Sequence, residues 1–412
     1  MMRLQYLLLL GAIGLATAVS GSTLREWTEF RGANGSGFVE EANPPVRWSN
    51  EDNVLWRSPV AASGWSSPVI KSGRIFFTGA DQETGALIVF CYALDSGREL
   101  WAEEVLKMPS NRPKHKKNTD ASSTPCLAEN RVFGHFGHFG TVCLDFDGNV
   151  IWKQTGLRYS PVHGNGSSPV LVDDLLVYHA DGNKNPQIVA LHRDSGKVVW
   201  SVERRTDADK KFSFCTPSLV ERDGRKILIS PASGAVFAYD PKNGSELWRV
   251  EYGQGFSVVP RPVIGLNHAF IASGFMRPNV MAIRLGGEGD VSDSHVTWET
   301  SRGGPNTPSM VLSNERLYFV SDGGIVSCVE ALTGKRIWQE RITGNVSSSP
   351  IIAGDRLYLG TEEGVMYVLR AGDTFETIAT NDFDERIFAS PAVIGDTLIV
   401  RTDAALYRIG RP

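Results

Sequence analysis

The stretch SPVLVDDLLVYHADGNKNPQIVALHRDSGKVVW, residues 168–200, sets the pattern of the whole chain. Short runs of Val, Ile, Leu and Tyr are broken by Asp, Asn and Gly. Runs of β-branched and aromatic residues between turn formers read as strands joined by tight turns. A proline after small polar residues opens the stretch, and a tryptophan four residues beyond a glycine closes it. Both marks recur. The proline returns at Pro68, Pro125, Pro169, Pro217, Pro262, Pro308, Pro350 and Pro391. The tryptophan ends equivalent runs at Trp56, Trp101, Trp152, Trp200, Trp248, Trp298 and Trp338. Two independent markers with a shared period indicate an internal repeat. Nothing of comparable length carries a helical period.

A small antiparallel sheet cannot bury both faces alone, and repeated units of about 40–50 residues solve this by packing radially as propeller blades. Eight prolines predict eight four-stranded blades in an all-β chain. The last repeat, ASPAVIGDTLIVRTDAALYRI, stops after three strands, whereas DNVLWRS precedes the first proline. Joining them closes the ring, so residues near 53–58 are expected to pair with the strand near 404–409. Gly97, Gly148, Gly196, Gly244 and Gly334 each stand four residues before their tryptophan, where a hairpin needs positive φ. Trp298 lacks this glycine, so its turn must differ.

The recurring core is Ala238-x-Asp240-x-x-Asn243-Gly244-x-x-x-Trp248, loosened to Cys328-x-Glu330-x-x-Thr333-Gly334-x-x-x-Trp338. No repeat tryptophan is followed by Asp, as WD repeats would require. The pattern resembles the tryptophan motif of pyrroloquinoline-quinone (PQQ) repeat propellers over nearly the whole chain. The opening WTEFRGANGSGF, residues 27–38, is similar to the leading segment of exported bacterial members. The resemblance implies an eight-bladed, quinoprotein-like β-propeller and two functional outcomes. One is a cofactor-free scaffold, like the propeller that helps assemble outer-membrane proteins. The other is a dehydrogenase using PQQ and calcium. The larger alcohol-oxidising quinoproteins cover their cofactor with adjacent cysteines, and this chain has no such pair. The first expectation is therefore a non-catalytic binding or scaffold propeller with no cofactor. A PQQ- and calcium-dependent enzyme oxidising an alcohol or a sugar is the alternative.

Cys91, Ala190, Ala238 and Cys328 stand ten residues before their tryptophans, and Cys143 falls there once a shorter turn is allowed for. A position filled by Ala or Cys needs a small apolar side chain. The five cysteines, Cys91, Cys126, Cys143, Cys215 and Cys328, are expected to be buried and free.

The 412 residues, 42% hydrophobic and 21% charged, carry a formal charge of −4 and a pI near 6.1. That balance lacks the concentrated basic face of a nucleic-acid binder. The single basic cluster, KHKK at 114–117, reads as a solvated loop. Arg3, a short leucine-rich run and small residues up to Ser20 read as a signal peptide, too short for a membrane span. The expected organisation is a signal peptide at 1–20, a leading segment at 21–52 and one propeller at 53–412, periplasmic or secreted. No cysteine lies near the cleavage region, which departs from a lipid-anchored scaffold.

Loops entering the innermost strands share a rim with loops joining second and third strands. They supply Trp65, Ser66, His163, Asn165, Arg261 and Asn306, and then His138, Asp181, Arg277 and Asp322. Together these are expected to hold a partner loop or a small polar ligand at the funnel face. His135 and His138 sit three apart in FGHFGHFG. Strand alternation sends them to different faces, so no two-histidine metal site is expected.

Overall fold

The computed structural model describes residues 26–49, 51–109, 114–275 and 277–412. The expected signal peptide lies outside them. Eight antiparallel sheets follow one another around a ring. Blades 1 to 7 span 69–107, 126–154, 170–203, 218–251, 263–300, 311–341 and 351–382. Blade 8 takes three strands from 392–409 and its outer strand, Val54–Pro59, from the start of the chain. That strand pairs antiparallel with Ala405–Ile409, Trp56 opposite Arg408 and Pro59 opposite Ala405, so the expected clasp is present.

Burial follows position in the blade. The two middle strands are buried on both faces, as in Arg316–Val320 and Ile325–Glu330. The outermost strands alternate between half-buried and exposed, as in Val54–Pro59 and Val296–Thr300. Their apolar faces pack on the next blade and their polar faces meet water.

The tryptophans join the blades. The Trp152 indole donates to Arg193 O of blade 3 at 2.8 Å, and a Cβ on Gly196 would stand 2.5 Å from the same ring. Gly196 also has φ of 66°, so the turn that receives the indole needs glycine twice over. Gly97, Gly148, Gly244 and Gly334 repeat this arrangement against Trp56, Trp101, Trp200 and Trp298. The indoles of Trp56, Trp101, Trp200, Trp298 and Trp338 likewise donate to carbonyls of the following blade. Within its own blade each tryptophan faces the small residue: Cys91 opposite Trp101, Cys143 opposite Trp152, Cys328 opposite Trp338. All five cysteines are buried and free.

Blade 5 departs from the pattern as its missing glycine required. Its last turn is enlarged, with a short strand Gly289–Asp290 and a helical turn Ser292–His295. That strand adds in parallel to the outer strand of blade 4 beside Trp248. Trp248 is buried, and its indole N–H has no partner.

A second ring lies at the neck. Ser67 N donates to Thr124 Oγ1, Thr124 N to Ser168 Oγ, and Ser168 N to Thr216 Oγ1, each at 2.9 Å. Arg261 N then donates to Ser309 Oγ, Ser309 N to Ser349 Oγ, Ser349 N to Ser390 Oγ, and Ser390 N back to Ser67 Oγ. This is the meaning of the small polar residue before each proline: its hydroxyl receives the previous blade's N–H. The ring is interrupted where Arg261 stands in place of a hydroxyl. It also corrects the repeat marks, because in blade 6 the hydroxyl is Ser309 and the residue after it is Met310. Pro308 stands two residues before the proline position of the other blades.

Residues 27–39 cross the central channel. Trp27 pairs with Ile70 of blade 1, Thr28 O accepts from Leu127 of blade 2, and Val39 O accepts from Gly354 beside blade 7. Arg31, buried, donates to Pro350 O at 2.8 Å and Met310 O at 2.6 Å. One segment thus stitches blades far apart in sequence and closes one end of the channel. Among the described residues no helix is long and apolar enough to cross a membrane.

Candidate functional site

The open end of the channel is a funnel of about 660 Å³. Phe30, from the crossing segment, forms part of its floor, and the hydroxyl ring forms its neck. Two loops shape the opening. Residues 114–118 arch between blades: His115 N donates to His163 O at 3.2 Å, and Asn118 Nδ2 to His163 O and Asn165 O. Lys117 Nζ meets Glu362 Oε1 of blade 7 at 2.7 Å. Lys114 meets Asp120 at 2.7 Å. The KHKK loop is therefore tied down at Lys114 and Lys117 rather than simply solvated. The second loop, before blade 4, carries Lys210, Phe212 and Phe214 into the wall.

Five of the ten rim residues expected from sequence line the funnel: Trp65, His163, Asn165, Asn306 and Asp322. Trp65 stacks on Phe388 at 4.3 Å and donates its indole N–H to Lys117 O. Asn165 is buried and donates to Phe136 O at 2.9 Å, so it holds its loop as well as facing the cavity. Asp322 accepts from Asn306 N, Thr307 N and Thr307 Oγ1. Asn306 Oδ1 is buried without a donor.

The other five are placed differently. Ser66 is buried, and its hydroxyl accepts from Thr78 N at 3.1 Å. Asp181 is buried in an ion pair with Arg204, where burial pushes its carboxyl up against the pull of the guanidinium. Arg261 is 1% exposed and points inward: it donates to Phe30 O at 2.5 Å and Pro217 O at 3.2 Å, and pairs with Glu29 at 2.9 Å. It anchors the crossing segment instead of facing a ligand. Arg277 is exposed outside the funnel lining. His138 sits half-buried behind the wall, 3.3 Å from Asn165 Oδ1, while His135 bonds Thr141 Oγ1 at 2.9 Å. The two histidines thus serve separate partners.

Sequence reading missed the aromatic wall of Phe212, Phe214, Phe256 and Phe275, and the basic side chains His115, Lys117 and Lys210 beside it. A signal was present: KFSFC at 211–215 and GQGF at 253–256 place phenylalanines in loops, where turn geometry asks for none. His163 lies in this wall, its imidazole held below the ordinary histidine range by burial first and then by the neighbouring His115 and Lys210. Among the described residues no three His, Cys, Asp or Glu side chains are grouped to hold a metal ion. An aromatic wall, a neck of hydroxyls and a few cations form a surface for binding.

A family model described as outer membrane protein assembly factor BamB matches residues 88–310 and 290–402. The chain belongs to the BamB family of PQQ-like propellers. Outer membrane protein assembly factor BamB of Burkholderia pseudomallei is 25% identical over 281 residues, 65% of this chain and 68% of that protein. Among solved structures, BamB from Moraxella catarrhalis aligns with a TM-score of 0.61 at 14% identity, covering 86% of this chain and 96% of that one. A europium-containing methanol dehydrogenase aligns with a TM-score of 0.71 at 11% identity, covering 92% and 90%. At those identities the structural likeness establishes the PQQ-like fold alone.

Proposed function

We propose that this member of the BamB family is a non-catalytic scaffold of outer-membrane protein assembly, exported from the cytoplasm and presenting its funnel face to a protein partner. Family membership across residues 88–402 carries the reading. The funnel chemistry supports it. PQQ with calcium needs several oxygens converging on the ion. Asp322 is the one carboxylate among the described lining residues, and its oxygens are engaged by Asn306 and Thr307. Glu362, nearby, is held by Lys117 and Ser347. This donor set does not fit a calcium–quinone site, so no redox step is derived for it.

The test is site-specific photocrosslinking in the intact envelope of the native host. A crosslinker at Phe275 or His115, both exposed in the funnel lining, is expected to capture a component of the outer-membrane assembly machinery. Absence of any such adduct from the funnel face would sink the partner assignment. Appearance of bound-quinone absorbance after incubation with PQQ and calcium would overturn the non-catalytic reading.

A further inference from the structure

The funnel wall is chemically lopsided. On one side a chain of rings runs edge to face from the arching loop to blade 5. His115 and His163 are 5.5 Å apart at 68°, and His163 meets Phe212 at 5.1 Å and 88°. Phe212 and Phe256 are 5.6 Å apart at 76°, and Phe256 and Phe275 5.6 Å apart at 75°. Phe275, at the end, is 48% exposed. Phe212 is buried and backs the chain, whereas Phe256 and Phe275 leave ring surface open to water inside the concavity, which marks a binding site rather than a packing remainder. Edge-to-face stacking also leaves ring surface on which a further ring can pack.

Positive charge accompanies the rings. The Lys210 ammonium lies 4.2 Å above Phe256 and forms no ion pair among the described residues. Burial and the neighbouring His115 and Lys210 hold His163 toward its neutral form, so the local field already favours an anion. No arginine lines the funnel among the described residues. Among the described lining residues the forked donor that matches phosphate is thus missing, whereas one ammonium with two imidazoles suits a single carboxylate.

We propose that the funnel binds an aromatic carboxylate, its ring on the Phe212–Phe256–Phe275 wall and its carboxylate on Lys210 beside His115 and His163. The assignment rests on the funnel face being the binding surface and names the chemistry that face selects. Two sources share that chemistry: a free aromatic acid and a polypeptide ending in an aromatic residue. The buried, unpartnered Asn306 Oδ1 adds a place for a donor, which a peptide N–H supplies and 3-phenylpropionate lacks.

Calorimetric titration of the full chain separates the cases with three probes: 3-phenylpropionate, a hexapeptide ending in phenylalanine with a free carboxylate, and the same peptide amidated. The free-acid peptide is expected to bind, with amidation and K210Q each weakening it about tenfold. F275A should weaken it through the ring alone, leaving the preference for acid over amide intact. Unchanged melting temperatures show that both exposed substitutions preserve the fold. Equal binding of phenylpropionate and peptide assigns the site to free acids, and peptide binding alone assigns it to chain ends. The proposal is overturned if neither binds at millimolar concentration, if the amide binds as tightly as the acid, or if K210Q has no effect. Envelope crosslinks that persist while these titrations fail would remove the ligand assignment and leave the scaffold reading standing.

Discussion

The junctions on either side of blade 4 are built from the same tryptophan and end differently. At the junction of blades 3 and 4, the Trp200 indole donates to Pro241 O at 2.9 Å and rests on the turn of Gly244. At the junction of blades 4 and 5, Trp248 is more deeply buried, but the receiving turn is replaced by an insertion and the indole N–H is orphaned. The insertion instead adds a short parallel strand to the edge of blade 4. The repeat therefore has two separable parts. The apolar plate of the tryptophan packs at both junctions, while the polar latch needs a receiving turn that comes close, supplied by the Gly244 turn at the first and displaced by the insertion at the second. An unpaired buried donor costs about 1–3 kcal/mol, so the blade 4–5 junction forgoes part of what the others gain.

The largest expected effect comes from blocking the latch. G244V places a side chain on a residue with φ of 73°, where a Cβ alone would stand 2.8 Å from the Trp200 ring and 2.7 Å from Val202. Backbone strain and overpacking together should cost about 3–4 kcal/mol. The comparison is G289A in the blade 5 insertion, where φ is 67° but nothing stands within 4 Å of a Cβ. That change should cost only the conformational strain, about 1 kcal/mol. Chemical denaturation of both variants decides it. Equal losses would mean that the glycine position reports backbone conformation alone and not the approach of the indole.

A second junction is expected to respond to pH. His135 ends the second strand of blade 2, bonds Thr141 Oγ1 and stacks 4.0 Å from Tyr178 of blade 3. Burial, with a smaller contribution from His138, pushes its pKa down to about 3. The unfolded chain takes up this proton near pH 6.5 and the folded chain does not, so stability is lost as pH falls below about 6.5. Between pH 7 and pH 5 the loss from this group is about 2 kcal/mol. His179, also buried and depressed, adds to it in the same direction. H135Q should therefore show a smaller drop in melting temperature between pH 7 and pH 5 than the parent, whatever its stability at pH 7. An unchanged drop would exclude His135 as a source of the acid sensitivity.

These contrasts also explain what could be read from the chain. Prolines, tryptophans and glycines repeat because every blade solves the same packing problem, so the fold and even the clasp of Val54–Pro59 were legible. Pro308 misled because a proline two residues early looks the same in sequence, and only the Ser309 hydroxyl shows the true register. Arg261 misled for a related reason. It replaces a hydroxyl in the neck ring, and sequence cannot tell whether a loop arginine faces outward or, as here, reaches inward to Phe30 O and Glu29. The aromatic wall lies where the repeat is broken by longer loops, and there no neighbouring blade supplies a template.

The finest test of the two-part reading compares W200F with W248F. Phenylalanine keeps most of the apolar plate at both junctions and deletes the indole N–H. At Trp200 this leaves Pro241 O without its donor and should cost about 1 kcal/mol beyond the lost packing. At Trp248 it removes a donor that has no acceptor, so the polar contribution turns from a loss into a small gain. The two variants lose similar volume, and their difference isolates the hydrogen bond. W248F is expected to be the less damaging by about 1 kcal/mol in urea unfolding, even though Trp248 is the more deeply buried ring. The reverse order would mean that burial of the plate outweighs the latch and that blade 4 meets blade 5 as firmly as it meets blade 3.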